Sequence, residues 1–294
     1  MTSSVAGATE DALCARAPLQ LCRLTGEHAV AAACRTAPLA EAPVFFANPG
    51  VCVLGVVGLL VCFERTHAVA RRGYAAVRAR AEYAAFFFAM ACWYVFCVLD
   101  HSFYAAPSRA ATWFVLGDAW AGGAAALSLA LAGVAETGRV GTVCALRTRA
   151  RVLVLAAAHA LHAAVYVACG AAQRGYAFLR VFWALVVAAG VATYALLLAV
   201  RVARAPALRL VVLVAAVAAA LVAAALCQFA FGVALCTRLS PHFGGEHIAI
   251  LLLTAALWAF YYVYGRLKAG EVHRLKEVRL DDGSVAKVAR VERV

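Results

Sequence analysis

Seven runs of roughly 20 mostly apolar residues, separated by short arginine-bearing loops, dominate this sequence. A helix of about that length crosses the hydrocarbon core of a bilayer while satisfying its own backbone hydrogen bonds. Apolar residues make up 66% of the 294 residues and charged residues only 14%. Soluble domains are closer to half apolar and a quarter charged. The sequence therefore predicts an all-α, polytopic membrane protein folded as a seven-transmembrane-helix bundle.

The predicted spans divide the chain into three parts. Residues 1–42 precede the first span, residues 43–265 form the transmembrane domain, and residues 266–294 form a basic tail. The approximate spans are 43–63, 83–103, 112–134, 152–171, 177–200, 209–232 and 247–265. One helical bundle accounts for this length, so no soluble catalytic domain is expected.

Basic residues are concentrated in alternate loops. The loops 64–82, 135–151 and 201–208 and the tail after residue 265 are rich in Lys and Arg, whereas each of the other three loops carries a single Arg. Basic loops stay in the cytoplasm, so the N-terminus is predicted to be non-cytoplasmic and the C-terminus cytoplasmic. The expected location is the secretory pathway or the plasma membrane. The net charge of +12 is explained by these anchors, so the expected partner is the lipid bilayer and not nucleic acid.

Ionisable side chains in or beside membrane helices are costly, and for that reason they point to function. On the predicted topology, polar residues from four spans gather on the non-cytoplasmic side. They are Asp100, His101, Ser102, Asp118, Gln228, His242, Glu246 and His247. No comparable set is expected on the cytoplasmic side.

Such a set could hold a zinc ion. Three imidazole or carboxylate ligands leave a fourth position for water, whose pKa the metal lowers toward about 7. His101 and His247 are the first candidate ligands, followed by His242, and Asp118 could move the proton. The alternative is that these residues are solvent-exposed at the membrane boundary and cap helix ends.

Two further histidines, His159 and His162, are three residues apart on the fourth span and therefore share a helix face. Hydrogen bonding between helices is the expected role. A second metal or proton site is the alternative.

The order of these features resembles the CREST superfamily of seven-span proteins, which includes alkaline ceramidases, progestin/adiponectin receptors and myomaker-like proteins. Cys97-x-x-x-His101 stands where that family has Ser-x-x-x-His, Asp118 stands for its Asp, and His242 and His247 stand near its last histidine pair. Residues 45–60 also resemble the first ceramidase span. The resemblance implies a zinc-dependent amide hydrolase acting on a lipid substrate, with Asp118 and Cys97 as catalytic residues.

One other function class remains open, and single sequence features argue against two more. The alternative to a hydrolase is a non-catalytic multispan protein of membrane organisation or fusion, or a viral or organellar membrane component. A microbial-type rhodopsin needs a Lys in its last helix, but the lysines are Lys268, Lys276 and Lys287, in or beside the tail. A G-protein-coupled receptor is disfavoured because no DRY-like or NPxxY-like sequence occurs.

Overall fold

The computed structural model describes residues 48–71, 79–103, 109–137, 148–172, 174–204, 208–227, 231 and 248–265. These ranges contain seven helices and no strand. The helices are α1 (Asn48–Arg71), α2 (Arg80–Phe103), α3 (Arg109–Thr137), α4 (Thr148–Ala172), α5 (Tyr176–Arg204), α6 (Leu208–Ala225) and α7 (Ile248–Gly265). The predicted all-α class is confirmed for these ranges, while the segment 1–42 and the tail 266–294 lie outside them.

Five of the helices are long and apolar enough to cross a membrane. They are the segments Arg80–Leu99, Thr112–Glu136, Val152–Ala172, Tyr176–Val200 and Ile248–Gly265. The chain is therefore a multi-pass membrane protein by length and composition. The expectation of seven spans is confirmed for these five helices and is not established for α1 and α6.

Helices α1 and α6 differ from their predicted spans in different ways. The sequence predicted a first span over 43–63, but α1 runs on to Arg71 and turns polar from Glu64 onward. The sequence also predicted a span over 209–232. Helix α6 begins at Leu208, one residue before the predicted start, and residues 228–230 and 232 of the predicted span lie outside the described residues.

Helix α3 occupies the centre of the bundle. It packs against α2, α4 and α5, and α2 in turn packs against α1. Small residues on α3 explain this central position. Lipid provides no hydrophobic driving force between helices, so helices associate where small side chains let their backbones approach closely. The buried small residues of α3 are Ala119, Ala121, Gly123, Ala124, Ala125, Ala126, Ser128, Ala132, Gly133 and Ala135.

The backbones of α3 and α5 approach each other closely at Gly190. A Cβ atom built on Gly190 would lie 2.5 Å from the backbone oxygen of Ala126 and 2.8 Å from its carbonyl carbon. The obstacle is backbone, which cannot rotate away as a side chain can. Glycine at this position therefore sets the distance between the two helices.

Aromatic rings join α2, α5 and α7 at the end of the bundle where α2 begins. Tyr83 and Tyr194 lie edge to face with their hydroxyl oxygens 3.1 Å apart in a hydrogen bond. The Phe260 ring centroid lies 6.0 Å from that of Tyr83 and 5.7 Å from that of Tyr194. Tyr264 packs on Tyr83 with ring centroids 4.7 Å apart. These pairs bring the last described helix against the second, although about 180 residues separate them in sequence.

The outward faces of α4 and α5 are apolar and uncovered by the described residues. Only 17% of the α4 span and 11% of the α5 span is buried, compared with 56% of the α2 span. The exposed side chains include Leu153, Leu161, Leu185 and Leu196. A surface of this kind is suited to lipid or to another apolar helix, and not to water.

Candidate functional site

A buried thiol and a buried carboxylate meet between α2 and α3. Cys97, near the end of α2, donates a hydrogen bond from its Sγ to Asp118 Oδ1, near the start of α3, over 3.3 Å. Cys97 is 1% exposed and Asp118 is 9% exposed. The antiparallel packing of consecutive helices brings these two residues to the same depth. The sequence predicted both as catalytic residues, and the structure places them in contact without testing that role.

The predicted zinc ligands cannot be placed around this pair. His101 lies in the last turn of α2, but its side chain, like His242 and His247, is outside the described residues. Among the side chains that are described, no group of three or more His, Cys, Asp or Glu residues could hold a metal ion. The zinc site is thus still a prediction for these three histidines.

The histidine pair on α4 faces α3, and the sequence predicted that the two residues share one helix face. His159 Nε2 lies 3.0 Å from Ser128 Oγ, and Ser128 Oγ donates to the backbone oxygen of Ala124 over 2.9 Å. Because the single hydroxyl proton of Ser128 is used there, His159 donates to Ser128. The predicted interhelical hydrogen bond is confirmed for His159.

His162 sits one turn further along the same face and is more deeply buried. Its ring hydrogen-bonds to the backbone of Trp120 on α3 and lies edge to face with Tyr166, ring centroids 4.9 Å apart. It also packs against Phe182 on α5, with centroids 5.6 Å apart. His162 therefore marks the junction of three helices.

Gly123 of α3 makes room for this junction. A Cβ atom on Gly123 would lie 2.5 Å from His162 Nε2 and 3.5 Å from Tyr166 Oη. The two polar side chains therefore converge on one backbone position.

Three buried charged residues escaped the sequence analysis. Glu82 near the start of α2, Glu136 near the end of α3 and Arg180 near the start of α5 are each less than one-tenth exposed. Glu82 and Glu136 lie at the same end of the antiparallel α2–α3 pair, where the sequence predicted no polar cluster. Their position at the edges of apolar runs made them look like residues that bound a span, and only the packing of neighbouring helices reveals their burial.

A small cavity lies between α1, α2 and α7. Its walls include Gly55, Gly58, Tyr94, Thr254 and Trp258, and its volume is about 10 Å³. Tyr94 Oη and Thr254 Oγ1 share a hydrogen bond of 2.6 Å at this place. Sites for small-molecule ligands measure roughly 300–1,000 Å³. This cavity has room for about one water molecule, so it cannot hold a lipid substrate.

Comparison with known proteins gives one match over most of the chain. Residues 9–269 match the family model Chs7, chitin synthase export chaperone. No curated protein and no solved structure matches the chain significantly.

The family match corrects the expected resemblance to the CREST superfamily, which is wrong. That resemblance depended on the order of apolar runs and on isolated polar residues, and many multispan proteins share such features. Cys97 replaces the Ser of the CREST pattern, and His242 and His247 are five residues apart, so they do not share a helix face. The matched range covers far more than half of the 294 residues, and the chain therefore belongs to the chitin synthase export chaperone family.

Proposed function

We propose that this protein is a non-catalytic membrane chaperone that assists the export of a chitin synthase. The observation that carries the proposal is the family match over residues 9–269, which includes every described helix. This function corresponds to the non-catalytic alternative raised by the sequence. It replaces the lipid hydrolase, whose support came from the CREST resemblance.

The client is expected to be engaged within the membrane. Every described helix lies in the matched range, and five of them are long and apolar enough to cross a membrane. Within the membrane, the protein can offer a client the lateral surfaces of those helices. The outward faces of α4 and α5 are the least buried of the five spans. A client helix that packs there would replace lipid, with van der Waals contact and hydrogen bonding as the driving forces.

The export role implies a place and an orientation. Export begins at the endoplasmic reticulum, so we propose that the protein resides in that membrane with its N-terminus in the lumen and its C-terminus in the cytoplasm. The chaperone role needs no zinc, and His101, His242 and His247 are then expected to serve as polar residues at helix ends.

Topology mapping tests this orientation. Single cysteines introduced at Gln20 and Val285, in a variant with reduced background reactivity, should react differently with a membrane-impermeant maleimide applied to sealed microsomes. Val285 faces the outside of a microsome and should be labelled at once, whereas Gln20 should be labelled only after detergent is added. Labelling of both without detergent would contradict the proposed topology.

Co-purification tests the chaperone role. The tagged full-length protein, extracted from membranes in a mild detergent, should retain a chitin synthase made in the same cells. An unrelated multispan protein expressed at the same level is the control and should be lost on washing. Equal recovery of both proteins, or recovery of neither, would count against a client-specific chaperone.

A further inference from the structure

Two side chains at the junction of α3, α4 and α5 are almost fully enclosed and have unused hydrogen-bonding atoms. His162 is 4% exposed and Tyr166 is 3% exposed. Within the described part of the chain, neither His162 Nε2 nor Tyr166 Oη has a hydrogen-bond partner. A polar group buried without a partner costs several kcal/mol in hydrocarbon, of order 2–7 depending on the reference state. Apolar side chains of the same shape would avoid that cost.

The chemistry of the pair is complementary. The bond from the His162 ring to the Trp120 backbone must use Nδ1, because Nε2 is unpartnered. In a neutral imidazole whose Nδ1 carries the proton, Nε2 is an acceptor. The Tyr166 hydroxyl can donate. The pair therefore suits a group that donates one hydrogen bond and accepts another, as a carboxamide or a hydroxyl does.

Both atoms lie beside one residue, which fixes the place of the site. A Cβ atom on Gly123 would lie 2.5 Å from His162 Nε2 and 3.5 Å from Tyr166 Oη, so the two polar atoms flank the same point of α3. A ligand group that bonds to both must therefore enter between α3 and α4.

We propose that His162 and Tyr166 form an intramembrane recognition site for a carboxamide or hydroxyl side chain carried by a transmembrane helix of the client. The inference rests on the proposed chaperone function, and it names what that function would recognise. An unassembled client helix with an Asn, Gln, Ser or Thr in its apolar stretch bears the same cost of an unpaired polar group. Pairing the two sets of groups relieves both costs.

Access to the site requires α4 to shift. Only 17% of the α4 span is buried. Over 152–172, the part of α4 whose side chains are described, the buried residues fall on a single seam formed by Leu155, His162, Tyr166 and Gly170. A helix held along one narrow face gives up few contacts when it moves aside, and it can close again over the bound helix.

A peptide-binding measurement tests the site without depending on the natural client. The full-length protein in lipid nanodiscs is titrated with a fluorescent, otherwise apolar transmembrane peptide that has either Gln or Leu at its centre. The wild-type protein should bind the Gln peptide about fivefold more tightly or better, as expected for two hydrogen bonds in a membrane. Tyr166→Phe, which removes one oxygen and keeps the ring, should lose most of that preference.

Tyr194→Phe is the matched control, because the Tyr194 hydroxyl is paired with Tyr83 at 3.1 Å. Thermal unfolding should show Tyr194→Phe to be destabilised with its Gln preference intact, and Tyr166→Phe to be as stable as the wild type or more so. The proposal is overturned if the wild type does not distinguish the peptides, or if Tyr166→Phe keeps the preference. If co-purification with the synthase succeeds in the same preparations, such a result rejects the recognition site and leaves the chaperone role intact.

Discussion

Replacement of Gly190 by valine should prevent α5 from packing against α3 and should leave little folded protein. The added Cβ would lie 2.5 Å from the Ala126 backbone oxygen and 3.0 Å from the Ala126 Cβ. Overpacking in a core typically costs about 1–3 kcal/mol, and more when the obstacle cannot adjust. Here relief requires the two helices to move apart, which would also disturb the packing of Tyr194 beside Gly133. Size-exclusion chromatography of a fluorescent fusion should show aggregate in place of a monodisperse peak.

Gly265→Val is the matched control for this substitution. Gly265 lies at the end of α7, and a Cβ atom there would have no neighbour within 4 Å among the described residues. The same change of residue should therefore leave the elution profile and the thermal midpoint close to those of the wild type. If Gly190→Val gives the wild-type profile, α3 and α5 do not approach as closely as the structure indicates.

The helical class and the positions of the helices could be predicted, because the lipid bilayer requires an apolar segment to satisfy its own backbone hydrogen bonds. A long apolar run in a bilayer has only the helix available to it unless it closes a barrel. For this reason the predicted spans at 152–171, 177–200 and 247–265 agree with α4, α5 and α7 within a few residues. The end of α1 at Arg71 could not be predicted as well, because the helix continues beyond the apolar run into the polar residues after Glu64.

The arrangement of side chains could be predicted only in part. The interhelical hydrogen bond of His159 was expected from two histidines on one helix face, whereas its partner Ser128 on α3 was not. The contact between Cys97 and Asp118 depends on how α2 and α3 turn about their axes, which composition does not specify. Glu82, Glu136 and Arg180 were missed for the same reason, since burial at the edge of an apolar run depends on neighbouring helices.

The proposed function could not be derived from the residues, because a chaperone requires no set of catalytic residues. The His, Cys and Asp residues of a membrane chain can resemble a catalytic site by their order alone, and here that order resembled the pattern of the CREST superfamily. Buried polar residues in membrane helices serve packing and partner binding as well as catalysis. The proposal of a chaperone role therefore depends on the family match over residues 9–269 and not on the polar residues.

Loss of this protein should stop most of the client synthase from leaving the endoplasmic reticulum. A membrane protein whose polar and apolar helix faces stay unpaired exposes surfaces that favour aggregation and retention by quality control. Loss of a chaperone that covers those faces should therefore reduce the exported amount of synthase more than a point substitution in either protein would. Since the proposed chaperone is specific for its client, the effect should be restricted to the synthase.

The most direct measurement is the fraction of a tagged chitin synthase at the cell surface, determined by surface labelling in cells with and without this protein. Our account predicts that the surface fraction falls severalfold without the protein, that the missing synthase co-fractionates with endoplasmic reticulum membranes, and that re-expression of the wild-type chain restores export. An unrelated multispan protein should reach the surface equally in both cells. If the synthase also reaches the surface equally in both, the protein is not its export chaperone.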